Sequence, residues 1–228
     1  MKIKLVGKEK KYFRDVIINK HMTTSTKPDL VVSCGGDGSI LYAARKYPDA
    51  MILPTRKRAL GRKTFTSCYM VEKVLKKILA GEYRIKEELM LQAKFKGKKM
   101  FALNEIQIHT KRPTKAVRFK VYVDGKDIFG EVVGDGVVVA TPFGSSAYYM
   151  SVGGRPFKKG IGIALNNPHN MKREHKVVPE NSKIKIKIFR QEAWLASDNN
   201  KKMFVLKKGD VVTIRKSKKK IRFVKVLP

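Results

Sequence analysis

Cysteine, tryptophan and acidic residues are scarce in this chain of 228 residues. The only cysteines are Cys34 and Cys68, too few for the disulfide framework of a small secreted domain. Together with four scattered histidines they give no metal-ligand spacing, so we assign no metal-ligating residues. No apolar run is long enough for a transmembrane helix, and the N-terminus lacks the apolar core of a signal peptide. We therefore expect a soluble, cytoplasmic protein that does not bind membranes.

Acidic residues are few enough to leave a large excess of positive charge. The chain has 51 lysines and arginines, 19 aspartates and glutamates, and a formal net charge of +32. This excess has three explanations: nucleic-acid binding, attraction of a polyanionic substrate, or the lysine-rich surface of a thermophilic or salt-adapted protein. The even spread of the lysines and the presence of only three glutamines favour the third, while nucleic-acid binding stays open. We predict that the basic segment 216–220 is an exposed turn between two strands.

The glycine-rich segment 35–38, Gly-Gly-Asp-Gly, directly follows the apolar run Leu30-Val31-Val32-Ser33-Cys34. Three glycines in four positions allow the backbone to approach a bulky anion. The carboxylate of Asp37 would repel phosphate, but it suits a metal ligand or a base that accepts a proton from a hydroxyl group. The alternative is a tight turn between a strand and a helix. We predict that this helix begins at Ser39 as its N-cap.

The hydrophobic pattern divides the chain into two domains. Residues 1–85 alternate between strand and helix patterns, with helices predicted over 8–19 and 65–79, the second ending at Gly81. Residues 86–228 have the period of two that is typical of strands, with a hairpin predicted at Asp124-Gly125. We therefore predict an α/β N-terminal domain followed by a β-rich C-terminal domain. The last strand, 222–226, is compatible with a return to the first domain.

Two further motifs place polar residues next to apolar strands. Asn104-Glu105 follows the apolar segment 100–103, where a bulge or turn is the alternative explanation. An asparagine amide can also pair with the N6 and N7 edge of adenine. The segment 134–148 runs from an apolar strand into proline, glycine and hydroxyl residues and then a helix pattern carrying Tyr148, which is suited to a ligand at a helix N-terminus.

The order of these three motifs resembles the NAD kinase family, in a small, archaeal-like form. The Gly-Gly-Asp-Gly loop is shared with diacylglycerol and sphingosine kinases, whereas the Asn-Glu pair and the TPxGSxAY segment belong to the NAD kinase branch. The resemblance extends over residues 28–228. It implies a two-domain fold, with a Rossmann-like first domain that carries the loop and a β-rich second domain that binds NAD.

The resemblance also implies a reaction and a set of site residues. The reaction is transfer of a phosphoryl group from ATP, or from polyphosphate, to the 2′-hydroxyl of the adenosine ribose of NAD, with Mg²⁺ as cofactor. Asp37 matches the loop aspartate that serves as the base. The positions that match NAD-binding residues are Gly36, Asp37, Gly38, Asn104, Glu105, Asp135, Thr141, Ser146, Ala147 and Tyr148. The family's habit implies a homodimer or homotetramer.

Several positions depart from the family pattern. Segment 55–62 is basic where the family has an Asn- and Gly-containing wall of the NAD pocket, and we hypothesise that Arg56, Arg58 and Arg62 bind phosphate. The alternative for these arginines is a solvated loop. Asp198-Asn199 stands where Asp-Gly is expected. Three alternative functions stay open: an NAD-binding relative with lost or altered activity, a kinase for another hydroxyl, and a nucleic-acid-binding protein.

Overall fold

A computed structural model describes residues 1–7, 25–56, 66–67, 70–169, 171–172 and 174–227. These residues form two units, one of residues 1–88 and 219–228 and the other of residues 89–218. The chain leaves the first unit within one long strand, between Glu88 and Leu89, and returns within another, between Lys218 and Lys219. The boundary predicted from the sequence lies at residue 85.

The first unit contains a parallel sheet. Its strands are β1 (Ile3–Val6), β2 (Leu30–Cys34), β3 (Met51–Arg56), the two-residue β4 (Thr66–Ser67), and the end of β15 (Val211–Val226). Strand β2 lies between β1 and β3, and both β4 and the end of β15 pair with β3. All five residues of β2 are buried, as expected for a central parallel strand.

Among the described residues of this unit, two helices accompany the sheet, α1 (Asp37–Lys46) and α2 (Val71–Leu79). The side chains of Val71, Leu75 and Ile78 in α2 pack against β1 and β2 through Ile3, Leu5, Leu30 and Val32. Gly81 follows α2 with φ +82°, which confirms the predicted glycine at the helix end.

Two predicted helix starts in this unit were wrong. Helix α1 begins at Asp37 with Gly36 as its N-cap, two residues before the predicted start, because the chain has already turned there and the amide of Ser39 donates to Gly36 O at 2.9 Å. Helix α2 begins only at Val71, since 66–67 form a strand. The helix predicted over 8–19, together with Phe65, Cys68 and Tyr69, lies outside the described residues.

The second unit is an antiparallel β structure. Its strands are β5 (Tyr83–Phe95, which starts in the first unit), β6 (Lys98–Ala102), β7 (Glu105–Thr110), β8 (Val117–Val123), β9 (Lys126–Ala140), β10 (Ile161–Pro168), β11 (His175–Val178), β12 (Ile184–Arg190), β13 (Ala193–Ser197), β14 (Phe204–Leu206) and the first part of β15. One four-residue helix, α3 (Tyr148–Ser151), follows β9.

Strand β9 organises the second unit. Its first half pairs with β8, and its second half lies between β7 and β10. The turn from β8 to β9 has φ +50° at Asp124 and +91° at Gly125, which confirms the predicted hairpin.

Strand β9 is also buried on both faces near its end. Val137 and Val139 face the main core, whereas Val138 and Ala140 pack with Tyr149 and Val152 around α3. Its end is therefore held on both sides, next to the residues of the candidate site.

The basic segment 216–220 is not a turn, contrary to the prediction, because β15 runs through it without a break. Ser217 and Ile221 are buried while Lys218, Lys219 and Lys220 are exposed. The side chains of Lys216 and Lys220 form ion pairs with Glu180 and Glu87, each at 2.6 Å. Among the described residues, no helix is long and apolar enough to cross a membrane.

Candidate active site

The glycine-rich loop joins β2 to α1 at the carboxyl ends of the parallel strands, where ligands bind in open α/β sheets. Gly35 has φ +145°, and a Cβ there would lie 2.5 Å from Ser39 Oγ. The amide of Gly35 donates to Thr55 O at 3.2 Å, which ties the loop to the end of β3.

Asp37 is the first residue of α1 and is half-exposed. Its carboxylate therefore lies at the positive end of the helix dipole. The loop offers glycine backbone and one accessible carboxylate at the same helix N-terminus.

In the second unit, the Asn104-Glu105 pair lies in a turn at the start of β7. Every backbone amide and carbonyl of residues 103–105 has a hydrogen-bond partner. The amides of Leu103 and Asn104 donate to the Asp198 carboxylate at 2.8 Å each, and the amide of Glu105 donates to it at 3.1 Å. The carbonyls of Leu103 and Asn104 accept from the hydroxyl and the amide of Thr141 at 2.6 and 2.9 Å. The carbonyl of Glu105 accepts from the Asp198 amide at 3.0 Å. The backbone of the pair is thus fixed by two other segments.

Thr141 is fully buried, and its hydroxyl is used within the protein. Besides donating to Leu103 O, this hydroxyl accepts from the Gly144 amide at 2.9 Å. Gly144 lies so close to the pair that a Cβ would be 2.1 Å from Asn104 O. Thr141 and Gly144 therefore shape the Asn104 turn from the side of segment 141–147.

The side chains of Asn104 and Glu105 are each only 6% exposed. Among the described residues, Asn104 Oδ1 is buried without a hydrogen-bond partner. A buried polar atom normally has such a partner. This oxygen is thus suited to accept a hydrogen bond from a ligand.

Tyr148 lies near two acidic residues, Glu105 and Asp135, and an asparagine, Asn166. Burial raises the pKa of Tyr148, its hydrogen bond with Asn166 lowers it, and the negative charges of Asp135 and Glu105 raise it further. Asn166 Nδ2 donates to the Tyr148 hydroxyl oxygen at 3.0 Å, which leaves the phenol proton available to an acceptor. Asn167 Nδ2 holds Asp135 Oδ2 at 3.2 Å. Glu105, Asp135 and Tyr148 therefore share one electrostatic environment.

The other sequence-predicted residues are distributed as follows. Ser146 and Ala147 are half-buried in the turn before α3, and Ala147 is the N-cap of that helix. Gly36, Asp37 and Gly38 belong to the first unit. Arg56 ends β3, but its side chain is outside the description, and Arg58 and Arg62 lie outside the described residues altogether.

Sequence reasoning missed Asn166, Asn167 and Asp198 as site residues. The available signal was the polar pair that follows the apolar strand segment 161–165, in front of a proline. Asn167 and Asp198 both have φ +46°, a left-handed conformation that asparagine and aspartate adopt more readily than most residues. Neither the contact of Asn166 with Tyr148 nor that of Asp198 with the Asn104 turn can be read from the spacing, because each joins segments that meet only in the folded chain.

Comparison with solved structures identifies the fold first. The chain matches an NAD kinase from Archaeoglobus fulgidus in complex with ATP with a TM-score of 0.82 and 23% identity, covering 99% of this chain and 94% of that one. It matches yeast NADH kinase complexed with NADH with a TM-score of 0.82 and 23% identity, covering 91% of this chain and 65% of the yeast chain. The predicted two-domain NAD kinase-like fold is confirmed.

The sequence comparisons then define the family. The ATP-NAD kinase C-terminal domain matches residues 103–226. An NAD kinase from Thermoplasma volcanium is 34% identical over 207 residues, which are 88% of this chain and 75% of that protein. The chain belongs to the NAD kinase family, as its three motifs predicted.

Proposed function

We propose that this protein transfers the γ-phosphoryl group of ATP to the 2′-hydroxyl of the adenosine ribose of NAD, giving NADP and ADP, with Asp37 as the base. The observation that carries the proposal is the group formed by Asn104, Glu105, Asp135 and Tyr148. Glu105, Asp135 and Tyr148 come from three different segments of the chain, yet they share one electrostatic environment, and Asn104 directly precedes Glu105. The chain that carries them belongs to the NAD kinase family. Relatives named NAD kinase support the reaction type.

Asp37 has the chemistry that the transfer requires. Its carboxylate accepts the proton of the 2′-hydroxyl while the hydroxyl oxygen forms a bond to the γ-phosphorus. The bond from that phosphorus to the bridging oxygen breaks, and ADP leaves with the electron pair. Because phosphoryl transfer depends mainly on positioning and on neutralising charge, the glycine backbone at Gly36 and Gly38 serves to admit the reacting groups closely.

The second unit supplies the residues that hold NAD. We assign the Asn104 amide to the adenine edge, which needs an acceptor for its N6 amino group. Glu105 and Asp135 accept hydrogen bonds from ribose hydroxyls, and the phenol of Tyr148 donates one. Ser146 and Ala147 line the nucleoside pocket, while Thr141 contributes through the backbone that its hydroxyl holds.

Magnesium accompanies ATP in this proposal. Among the described residues, no group of three or more histidine, cysteine, aspartate or glutamate side chains can hold a metal ion. Mg²⁺ is commonly bound by substrate phosphates, water and one or two carboxylates. Because Asp37 is assigned as the base, we assign the ion to the ATP phosphates and to water, where it would neutralise charge on the phosphates. Polyphosphate as an alternative donor, a cytoplasmic location and a homodimeric or homotetrameric assembly complete the proposal.

A coupled assay for NADP formation tests the proposal, with NAD, ATP and Mg²⁺ and with the wild type and Asp37→Asn. Loss of a general base lowers kcat by about 10²- to 10⁴-fold, so we expect the variant to lose at least that much activity. Asp49→Asn is the matched control, since it makes the same change in an exposed acid of the first unit and should leave kcat unchanged.

Three outcomes would contradict parts of the proposal. Equal rates for the wild type and Asp37→Asn would remove Asp37 as the base. No NADP from the wild type with either ATP or polyphosphate, despite calorimetric binding of NAD, would favour a relative that has lost its activity. No binding of NAD at all would overturn the assignment of the second-unit residues.

A further inference from the structure

We propose that Asp198 is a positioning residue that sets the Asn104-Glu105 pair for NAD binding. This inference rests on the proposed function, because it concerns the residues assigned to hold NAD. Asp198 itself is assigned no contact with substrate. Its effect on binding passes through the backbone of residues 103–105.

The first step is the convergence of three amide donors on one carboxylate. Asp198 Oδ2 accepts from the Leu103 amide at 2.8 Å, and Oδ1 accepts from the amides of Asn104 and Glu105 at 2.8 and 3.1 Å. Hydrogen bonds to an ionised carboxylate are about twice as strong as bonds between neutral groups. The three successive amides are therefore fixed to one side chain.

The second step is the backbone conformation that orients the Asp198 side chain towards residues 103–105. Asp198 directly follows β13, and Ser197 at the end of β13 is in register with Ile106 of β7. Asp198 has φ +46°, and its amide returns a hydrogen bond to Glu105 O at 3.0 Å. Backbone and side chain thus hold the turn together.

The third step separates positioning from folding. The carbonyls of Leu103 and Asn104 are held independently by Thr141, and β7 pairs with both β9 and β13. Loss of the carboxylate therefore leaves the strand anchored while it releases the three amides. The backbone at 104–105 sets the orientation of the Asn104 and Glu105 side chains. Their orientation therefore changes without unfolding of the unit.

Asp198→Asn is the sharpest variant because it keeps the shape of the side chain. An amide group has one acceptor oxygen instead of two, and its NH₂ group faces backbone amides that are also donors. We expect the dissociation constant for NAD, measured by calorimetry, and KM for NAD to rise about tenfold or more. KM for ATP should change by less than about twofold, since the ATP phosphates are assigned elsewhere.

Asp210→Asn is the matched control. Asp210 is a loop aspartate in the same unit that accepts from the Lys207 amide at 2.8 Å and pairs with Lys96 at 2.8 Å. Its loss should lower the melting temperature without changing the affinity for NAD. If Asp198→Asn does not fold, Asp198→Glu replaces it, because it keeps the charge but displaces both oxygens by one methylene group.

The results separate this inference from the proposed function. If the wild type binds no NAD, the proposed function fails. If the wild type binds NAD and Asp198→Asn, or Asp198→Glu in its place, binds it equally well, the positioning role is wrong and the function stands. Equal increases in KM for NAD and ATP, or a fall in kcat alone, would also contradict the positioning role.

Discussion

Tyr148 and Tyr149 are neighbours in the sequence whose hydroxyl groups meet different surroundings. Tyr148 is half-buried and bonded to Asn166. Tyr149 is fully buried, its hydroxyl has no hydrogen-bond partner among the described residues, and burial raises its pKa to about 12. The ring of Tyr149 packs edge-on against Phe157 at a centroid distance of 5.5 Å. The Tyr148 phenol is therefore available to a ligand, whereas Tyr149 contributes to packing, mainly through its ring.

We predict that Tyr149→Phe keeps or increases the stability of the protein near neutral pH. The change removes a buried hydroxyl without a partner and retains the ring, so the free energy of unfolding should rise by about 0–1 kcal/mol. Urea unfolding measures this change. A loss of more than about 1 kcal/mol would show that the hydroxyl has a stabilising partner.

The pKa of Tyr149 also predicts a dependence of stability on pH. Because its folded-state pKa lies above the unfolded value of 10, the contribution is fully present below pH 10. It is lost as the pH rises towards about 12, since the unfolded state releases its proton first. Between about pH 8 and pH 11 the wild type should therefore lose about 1 kcal/mol more than Tyr149→Phe. Urea unfolding of both proteins at each pH measures this difference. Deprotonation of the lysines affects both proteins equally and therefore cancels in the comparison.

At the scale of elements, the close approach of segment 141–147 to the start of β7 forms the candidate NAD site. A Cβ on Gly144 would lie 2.1 Å from Asn104 O and 2.6 Å from Asn104 Cα, and neither backbone atom can move without disturbing the pair. Glycine is required here for space, because the φ of Gly144 is not in the left-handed region.

We expect Gly144→Ala to destabilise the second unit by about 1–3 kcal/mol and to raise KM for NAD. The methyl group must push segment 141–147 away from Asn104, which also strains the Thr141 hydrogen bonds. Steady-state kinetics and urea unfolding measure the two effects. Gly97→Ala is the control: it sits in open space with φ +77°, so it should lose only about 1 kcal/mol and leave KM unchanged. Equal effects on KM would contradict the packing argument.

Most elements of this fold follow from the periodicity of the sequence, whereas their ends do not. The alternation of Ile184, Ile186 and Ile188 with exposed lysines has the period of two that predicted strands over 86–228, and β12 forms there. The break predicted in 216–220 was wrong because β15 continues through the segment, with the buried residues Ser217 and Ile221 on either side of three exposed lysines. The start of α1 was wrong by two residues because glycine, which has no capping side chain, is its N-cap.

For the whole molecule, the excess of positive charge opposes the compact state. The register places Lys187 opposite Lys120 and Arg190 opposite Arg118, so like charges face each other across β8 and β12. Such pairs destabilise a sheet. Nine ion pairs connect described residues, and exposed pairs contribute only about 0–1 kcal/mol each. With a net charge of +32, repulsion between the positive side chains should outweigh the attraction within these ion pairs.

Salt should therefore stabilise this protein. We expect the melting temperature to rise by several degrees between about 0.05 M and about 0.5 M NaCl, because the added ions screen repulsion between exposed charges. Choline chloride at equal ionic strength is the control for effects of a particular cation. A melting temperature that falls with salt in both series would show that the ion pairs outweigh the repulsion.

The sequence by itself determined the family and the two-domain plan, and it predicted the candidate site residues Asp37, Asn104, Glu105 and Tyr148. Composition, periodicity and motif order can be read directly from the sequence, and the family and the two-domain plan follow from them. Only the tertiary structure decided that Asp198 and Thr141 fix the backbone of the Asn104 turn, and that Asn166 and Asn167 hold Tyr148 and Asp135. Those contacts join residues from different segments of the chain, and their geometry exists only once the strands that carry these segments have paired.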